Sequence, residues 1–165
     1  MTAQEFDELE PYDSSSLVID RMKRKLIKNV LFITINPPYG SVTPAQLVRM
    51  AQQCCDYTNV LEYSYCIETR GEQENTKYHG MHLHMILVAD QVLHKIGKLR
   101  ANVRNKFIKI RGINELSVDI KTTTLYEHPK LYQYLKGWKL GKQKSNHDYD
   151  LKFRDTHGLH NLYEG

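Results

Sequence analysis

Apolar positions recur along this chain at two spacings, and the spacing predicts the elements. Asn29-Val-Leu-Phe-Ile-Thr-Ile-Asn36 is dense in β-branched and aromatic residues and stops at Pro37-Pro38, which marks a strand. Thr43-Pro-Ala-Gln opens a helix, with Thr43 as N-cap and Pro44 in the first helical position. That helix runs to about Tyr57 and turns Leu47, Met50, Ala51 and Cys54 inward. Leu61 to Arg70 reads as a second strand, Gly71 to Lys77 as a polar hairpin loop, and Met81 to Ala89 as a third strand antiparallel to the second.

A basic helix is predicted from about Gln91 to Asn105, with Val92, Ile96, Leu99 and Val103 on its apolar side. Leu116 to Lys121 reads as a strand, with a further short one near Phe107–Ile110. Leu131, Leu135 and Trp138 recur at i, i+4 and i+7, so a last helix is expected from Leu131 to about Leu140. The order β-α-β-β-α-β-α resembles a ferredoxin-like (RRM-like) α+β fold, an antiparallel sheet with helices on one face. Residues 1–27 form an acidic leader, 28–141 a single domain, and 142–165 a polar tail or linker.

Composition narrows the function classes. The chain has 165 residues, 41% hydrophobic and 25% charged, as expected of one globular domain with a core. Its longest apolar runs are far too short to cross a membrane, and the acidic N-terminus lacks the pattern of a secretory signal. The three cysteines, Cys54, Cys55 and Cys66, offer neither a disulfide framework nor a CxxC metal knuckle, which points to a reducing, intracellular setting. No GxxxxGK[ST] motif is present, so no P-loop ATPase is expected.

The net charge of +4 is unevenly spread: residues 1–20 hold six acids and no Lys or Arg, whereas residues 91–145 hold thirteen Lys and Arg against three acids. A basic second half interleaved with Tyr132, Tyr134 and Trp138 is the footprint of a nucleic-acid binder. Arg100, Arg104, Lys106, Lys109 and Arg111 are the candidate contacts within it.

The candidate chemistry lies in the third strand. In His82-Leu83-His84 both imidazoles project from the same face, because strand side chains alternate. Glu68, the last carboxylate before the Gly71 turn of the neighbouring strand, can supply an oxygen ligand, with Glu72 and Glu74 as competitors. A His-His-Glu set suits Mg²⁺ or Mn²⁺ acting on a phosphate better than a closed structural zinc site. The last helix carries Leu131-Tyr-Gln-Tyr-Leu-Lys-Gly-Trp138, and a tyrosine beside a metal-bound phosphate is a nucleophile able to form a phosphotyrosine.

A strand ending Phe32-Ile-Thr-Ile-Asn36, then His82-Leu83-His84, then a tyrosine helix, resembles the HUH endonuclease superfamily over residues 28–141. Within it the chain is most similar to the N-terminal domain of replication initiator (Rep) proteins of circular single-stranded DNA viruses and related plasmids. The resemblance implies nicking and joining of single-stranded DNA at an origin stem-loop. A 5′-phosphotyrosyl intermediate and a free 3′-OH would start rolling-circle replication without ATP. It also implies Thr34 and Asn36 as DNA-recognition residues, Glu68, His82 and His84 as ligands of a divalent metal, and a host nucleus as location if the source is viral. Such initiators generally continue into a helicase domain through which they oligomerise, and none lies in this sequence.

The third motif departs from the family pattern, because Gly137 stands where a lysine three residues after the tyrosine is usual. Tyr134 has the family relation to Leu131, while Tyr132, about 160° away around the helix, has Lys136 one turn on. Lys136 or Lys139 is left to take the lysine's part. Other readings of the same residues are a transposase or plasmid relaxase of the superfamily, or a non-catalytic nucleic-acid-binding module.

Overall fold

The computed structural model describes residues 27–70, 80–90, 93–110, 112–114, 117–139 and 146–165. They form an α+β fold: β1 (Val30–Ile35), α1 (Pro44–Cys55), β2 (Val60–Glu68), β3 (His82–Ala89), α2 (Leu93–Ile108), β4 (Val118–Thr123), α3 (His128–Leu135), α4 (His147–Thr156) and β5 (Tyr163–Glu164). The five strands make one antiparallel sheet in the order β4-β1-β3-β2-β5. Its first four strands have the order of a ferredoxin-like sheet, as expected, and β5 extends it at the β2 edge. Among the described residues no helix is long and apolar enough to cross a membrane.

The central strands are apolar on both faces, and the structure covers both. Leu31, Ile33 and Ile35 of β1 and Leu83, Met85 and Leu87 of β3 pack with Leu47 and Ala51 of α1 and Leu99, Val103 and Phe107 of α2. The alternate residues Val30, Ile86, Val88 and Cys66 meet Leu135 of α3, with Leu131 and Tyr134 packed alongside. The helices are therefore not confined to one face. Strands as continuously apolar as Val30–Ile35 need cover on both sides, since each buried Val, Leu or Ile side chain contributes about 1.5–3 kcal/mol.

Three further expectations change. The segment near Phe107–Ile110 is no strand, because α2 runs on to Ile108 and Phe107 continues the helical spacing of Leu99 and Val103. The last-helix prediction overran: α3 ends at Leu135, and Gly137 follows with φ 94°. Residues 142–165 are also not simply a polar tail. Their described part contains α4 and β5, with Asp150, Phe153 and Arg154 buried and Tyr163 stacked on Tyr65 at 4.6 Å. Phe153 is buried in the main core and Leu159 and Tyr163 pack against it, an apolar signal too sparse to read in one dimension.

The start of α1 is as predicted. Gln46 N–H donates to Thr43 Oγ1 (3.2 Å) while Thr43 N–H donates to Gln46 Oε1 (2.8 Å), a reciprocal capping box. Thr43→Ala is expected to lower stability by about 1 kcal/mol, read as a shifted urea midpoint at unchanged slope.

Candidate metal centre

Strand register assembles the centre. Glu68 pairs with His82, Cys66 with His84, and His84 with Thr34, so the relevant side chains share one face at one end of β1, β2 and β3. Glu68 Oε2 lies 3.4 Å from both His82 Nε2 and His84 Nε2. One ligand atom from each of the three residues falls within 4.8 Å of the others, and all three side chains are buried.

The imidazoles are held ligand-outward. His82 Nδ1 donates to the Gly80 carbonyl at 2.9 Å, since a carbonyl only accepts, and this turns Nε2 toward Glu68. His84 Nδ1 shares a 3.1 Å hydrogen bond with the Thr34 hydroxyl, and its ring stacks on Phe32 at 5.7 Å. Fixing Nδ1 through a second partner is how metal-binding histidines are usually oriented. Burial pushes the His84 imidazole down, and the neighbouring cations reinforce this over the opposing pull of Glu68, leaving it at about 3. It is thus a neutral ligand at physiological pH. Two imidazole nitrogens and a carboxylate converging from neighbouring strands make a donor set that fits a divalent cation.

One internal cation already answers part of that charge. Lys139 forms a buried ion pair with Glu68 Oε1, and its ammonium sits 4.4 Å from the centre of the Tyr134 ring. Burial alone raises the Glu68 carboxyl, but the imidazole nitrogens and the Lys139 ammonium outweigh it and hold it at about 2.

Both shifts give the metal-free protein the same pH response. The unfolded chain binds more protons than the folded one, first at His84 as pH falls from its usual 6.5 toward 3, then at Glu68 from 4.5 toward 2. Stability should therefore fall on acidification from near neutrality and fall more steeply below the ordinary carboxylate range. Denaturant midpoints across pH check this, and His84→Gln should flatten the upper part of the profile.

Thr34, Asn36, Glu68, His82, His84, Tyr134 and Lys139 all line one cavity of about 250 Å³, together with Thr69, Arg70, Asn146 and Asp150. The Tyr134 ring meets His84 edge-on at 5.4 Å; burial first, then the Glu68 charge, raise its phenol above the ordinary value. Tyr132 is elsewhere: its hydroxyl donates to Glu164 Oε2 at 2.7 Å, its ring stacks with His128, and Lys136 covers it at 5.2 Å. No protein-family model, curated protein or solved structure matches this chain.

Position 137 has no room for a side chain. Gly137 has positive φ, and the ring of His147 fills the space a Cβ would need, so a lysine side chain does not fit there. Lys139, two residues on, reaches the cavity instead. Thr34 has a partner in His84, and Asn36 Oδ1 accepts from Arg70 at 2.7 Å.

The basic candidates on α2 are not brought to the centre. α2 packs on the opposite sheet face, where Arg100 donates to the Thr122 hydroxyl at 3.3 Å. Arg104 and Lys106 share that helix, Lys109 follows it, and Arg111, Glu72 and Glu74 lie outside the described residues. Arg70, Asn146 and Asp150 are cavity residues that sequence reasoning missed. The i, i+3, i+4 spacing of Asp150, Phe153 and Arg154 was the one signal for the last of these.

Proposed function

We propose that this chain is a metal-dependent nuclease and strand transferase for single-stranded DNA, of the type that nicks and rejoins an origin to start rolling-circle replication. The observation that carries the reading is the convergence of a His-His-Glu donor set, a tyrosine and a buried lysine on one cavity. The order of the three sequence motifs supports the same reading.

Glu68, His82 and His84 would hold Mg²⁺ or Mn²⁺, which supplies charge stabilisation to the non-bridging oxygens of a scissile phosphate. Tyr134 Oη attacks phosphorus, and the bond to the 3′-oxygen of the preceding nucleotide breaks. A 5′-phosphotyrosyl enzyme and a free 3′-OH result, the phenol proton ending on the departing oxygen. Attack of a 3′-OH on the phosphotyrosine reverses the step, which is why joining needs no nucleotide cofactor. Lys139, beside both Glu68 and the Tyr134 ring, favours the phenolate that burial disfavours. In this reading Lys139 stands in for the family lysine, and Arg70 and Asn36 at the cavity wall contact the strand.

The test is a gel assay with labelled single-stranded stem-loop oligonucleotides in Mn²⁺ and in EDTA. A boiling-resistant adduct that forms only with metal is expected. Binding that persists in EDTA with no adduct on any oligonucleotide would leave a nucleic-acid-binding module as the better account.

A further inference from the structure

The C-terminal helix holds the strand that carries Glu68. Residues 63, 65, 67 and 69 of the β2 segment present their peptide groups to one edge, because these alternate along a strand. At Tyr63 that edge is satisfied by Gly165, with Tyr63 N–H donating to Gly165 O (2.8 Å) and the reverse bond at 3.1 Å. Pairing with β5 reaches only to Tyr65. Beyond it, side chains of α4 take over. Arg154 Nε donates to Ile67 O at 2.8 Å. Asp150 Oδ1 accepts from Thr69 N–H at 2.6 Å and from the Thr69 hydroxyl at 3.1 Å. Asp150 and Arg154 are 1% and 2% exposed, so water does not compete for these bonds.

We infer that Asp150 and Arg154 are positioning residues of the metal centre, clasping the peptide groups on either side of Glu68 and so fixing its carboxylate against His82 and His84. Residue 68 itself is tied on the opposite edge to β3 through its pairing with His82. With residues 67 and 69 held as well, the ligand-bearing end of β2 is restrained from both sides. Partners of this kind typically govern metal affinity by about 10–100-fold although they never touch the ion. The inference rests on the metal-binding part of the reading above and not on any nuclease activity.

Calorimetric titration with Mn²⁺ alone, beside circular dichroism and thermal melts of the metal-free proteins, tests it. Asp150→Ala and Arg154→Met are each expected to weaken Mn²⁺ binding about tenfold. Asp150→Asn, whose amide oxygen still accepts both Thr69 bonds, should stay within about threefold of the unmodified protein. Phe153→Leu, which loosens α4 while leaving the Asp150 and Arg154 hydrogen bonds to Thr69 and Ile67 in place, should lower the melting temperature and leave the affinity unchanged. If Asp150→Ala does not fold, Thr69→Val, lacking one of the two bonds, should still bind about threefold more weakly. Unchanged affinity in a folded Asp150→Ala or in Thr69→Val overturns the clasp, as does an equal loss in Asp150→Asn and Asp150→Ala, which would make charge the cause. Failure of the unmodified protein to bind Mn²⁺ removes the metal centre itself, and the clasp with it.

Discussion

Tyr134→Phe is expected to abolish the covalent protein–DNA adduct, with nicking down by more than about 10³-fold, because phenylalanine offers no oxygen to phosphorus. The ring stays, so its packing against Phe32 and His84 and its place under Lys139 are retained and the fold should be unaffected. Tyr132→Phe should leave the adduct within about threefold. It loses one exposed hydrogen bond to Glu164, which is worth about 1 kcal/mol or less. The two variants run side by side on one gel decide between the tyrosines, since they are about two helical positions apart yet open on different surroundings. Adduct formation by Tyr134→Phe would sink the assignment outright.

The second large effect concerns the buried pair of Glu68 and Lys139. Glu68→Gln should weaken Mn²⁺ binding by more than about 100-fold, and it also strands the Lys139 ammonium in a site where both side chains are 4% exposed. Breaking a buried ion pair from one side costs about 3–5 kcal/mol, so the metal-free variant should melt far below the unmodified protein. Lys139→Met should be similarly destabilised without metal, now because the carboxylate lacks its cation. Mn²⁺ supplies that missing charge, and so it should raise the melting temperature of Lys139→Met by more than it raises that of the unmodified protein. The double variant Glu68→Gln/Lys139→Met should be less destabilised than the two single losses summed. Additive losses would mean that the pair does not act as a unit.

Much of the site was legible in one dimension because its elements obey short periods. His82 and His84 had to share a face of a strand whatever the fold, and Glu68 was marked by its place at the end of the neighbouring strand. The Thr43 cap, the strand runs and the α1 helix rest on local chemistry and came out within a few residues. The α+β order followed from these. Near Phe107 the failure was a missed local period, since Phe107 continues the i, i+4 spacing of Leu99 and Val103. Elsewhere the deciding interaction was nonlocal, as where Asp150 and Arg154 bond to the β2 edge.

What the sequence by itself determined is the order of elements, the pairing of the histidines and the residue types able to hold a cation and attack a phosphate. Only the tertiary structure decided which of them meet. Tyr134 faces the centre and Tyr132 faces Glu164 because α3 lies across the second sheet face. Lys139 is the lysine that reaches the cavity, while position 137 stays clear for the ring of His147. The basic residues of α2 lie away from the centre because that helix covers the opposite face. A segment that reads as polar tail became part of the site because its few buried polar groups, Asp150 and Arg154, satisfy a strand edge that β5 leaves open. Burial of such groups is stable only once their partners are in place, and those partners lie more than 80 residues away in the chain.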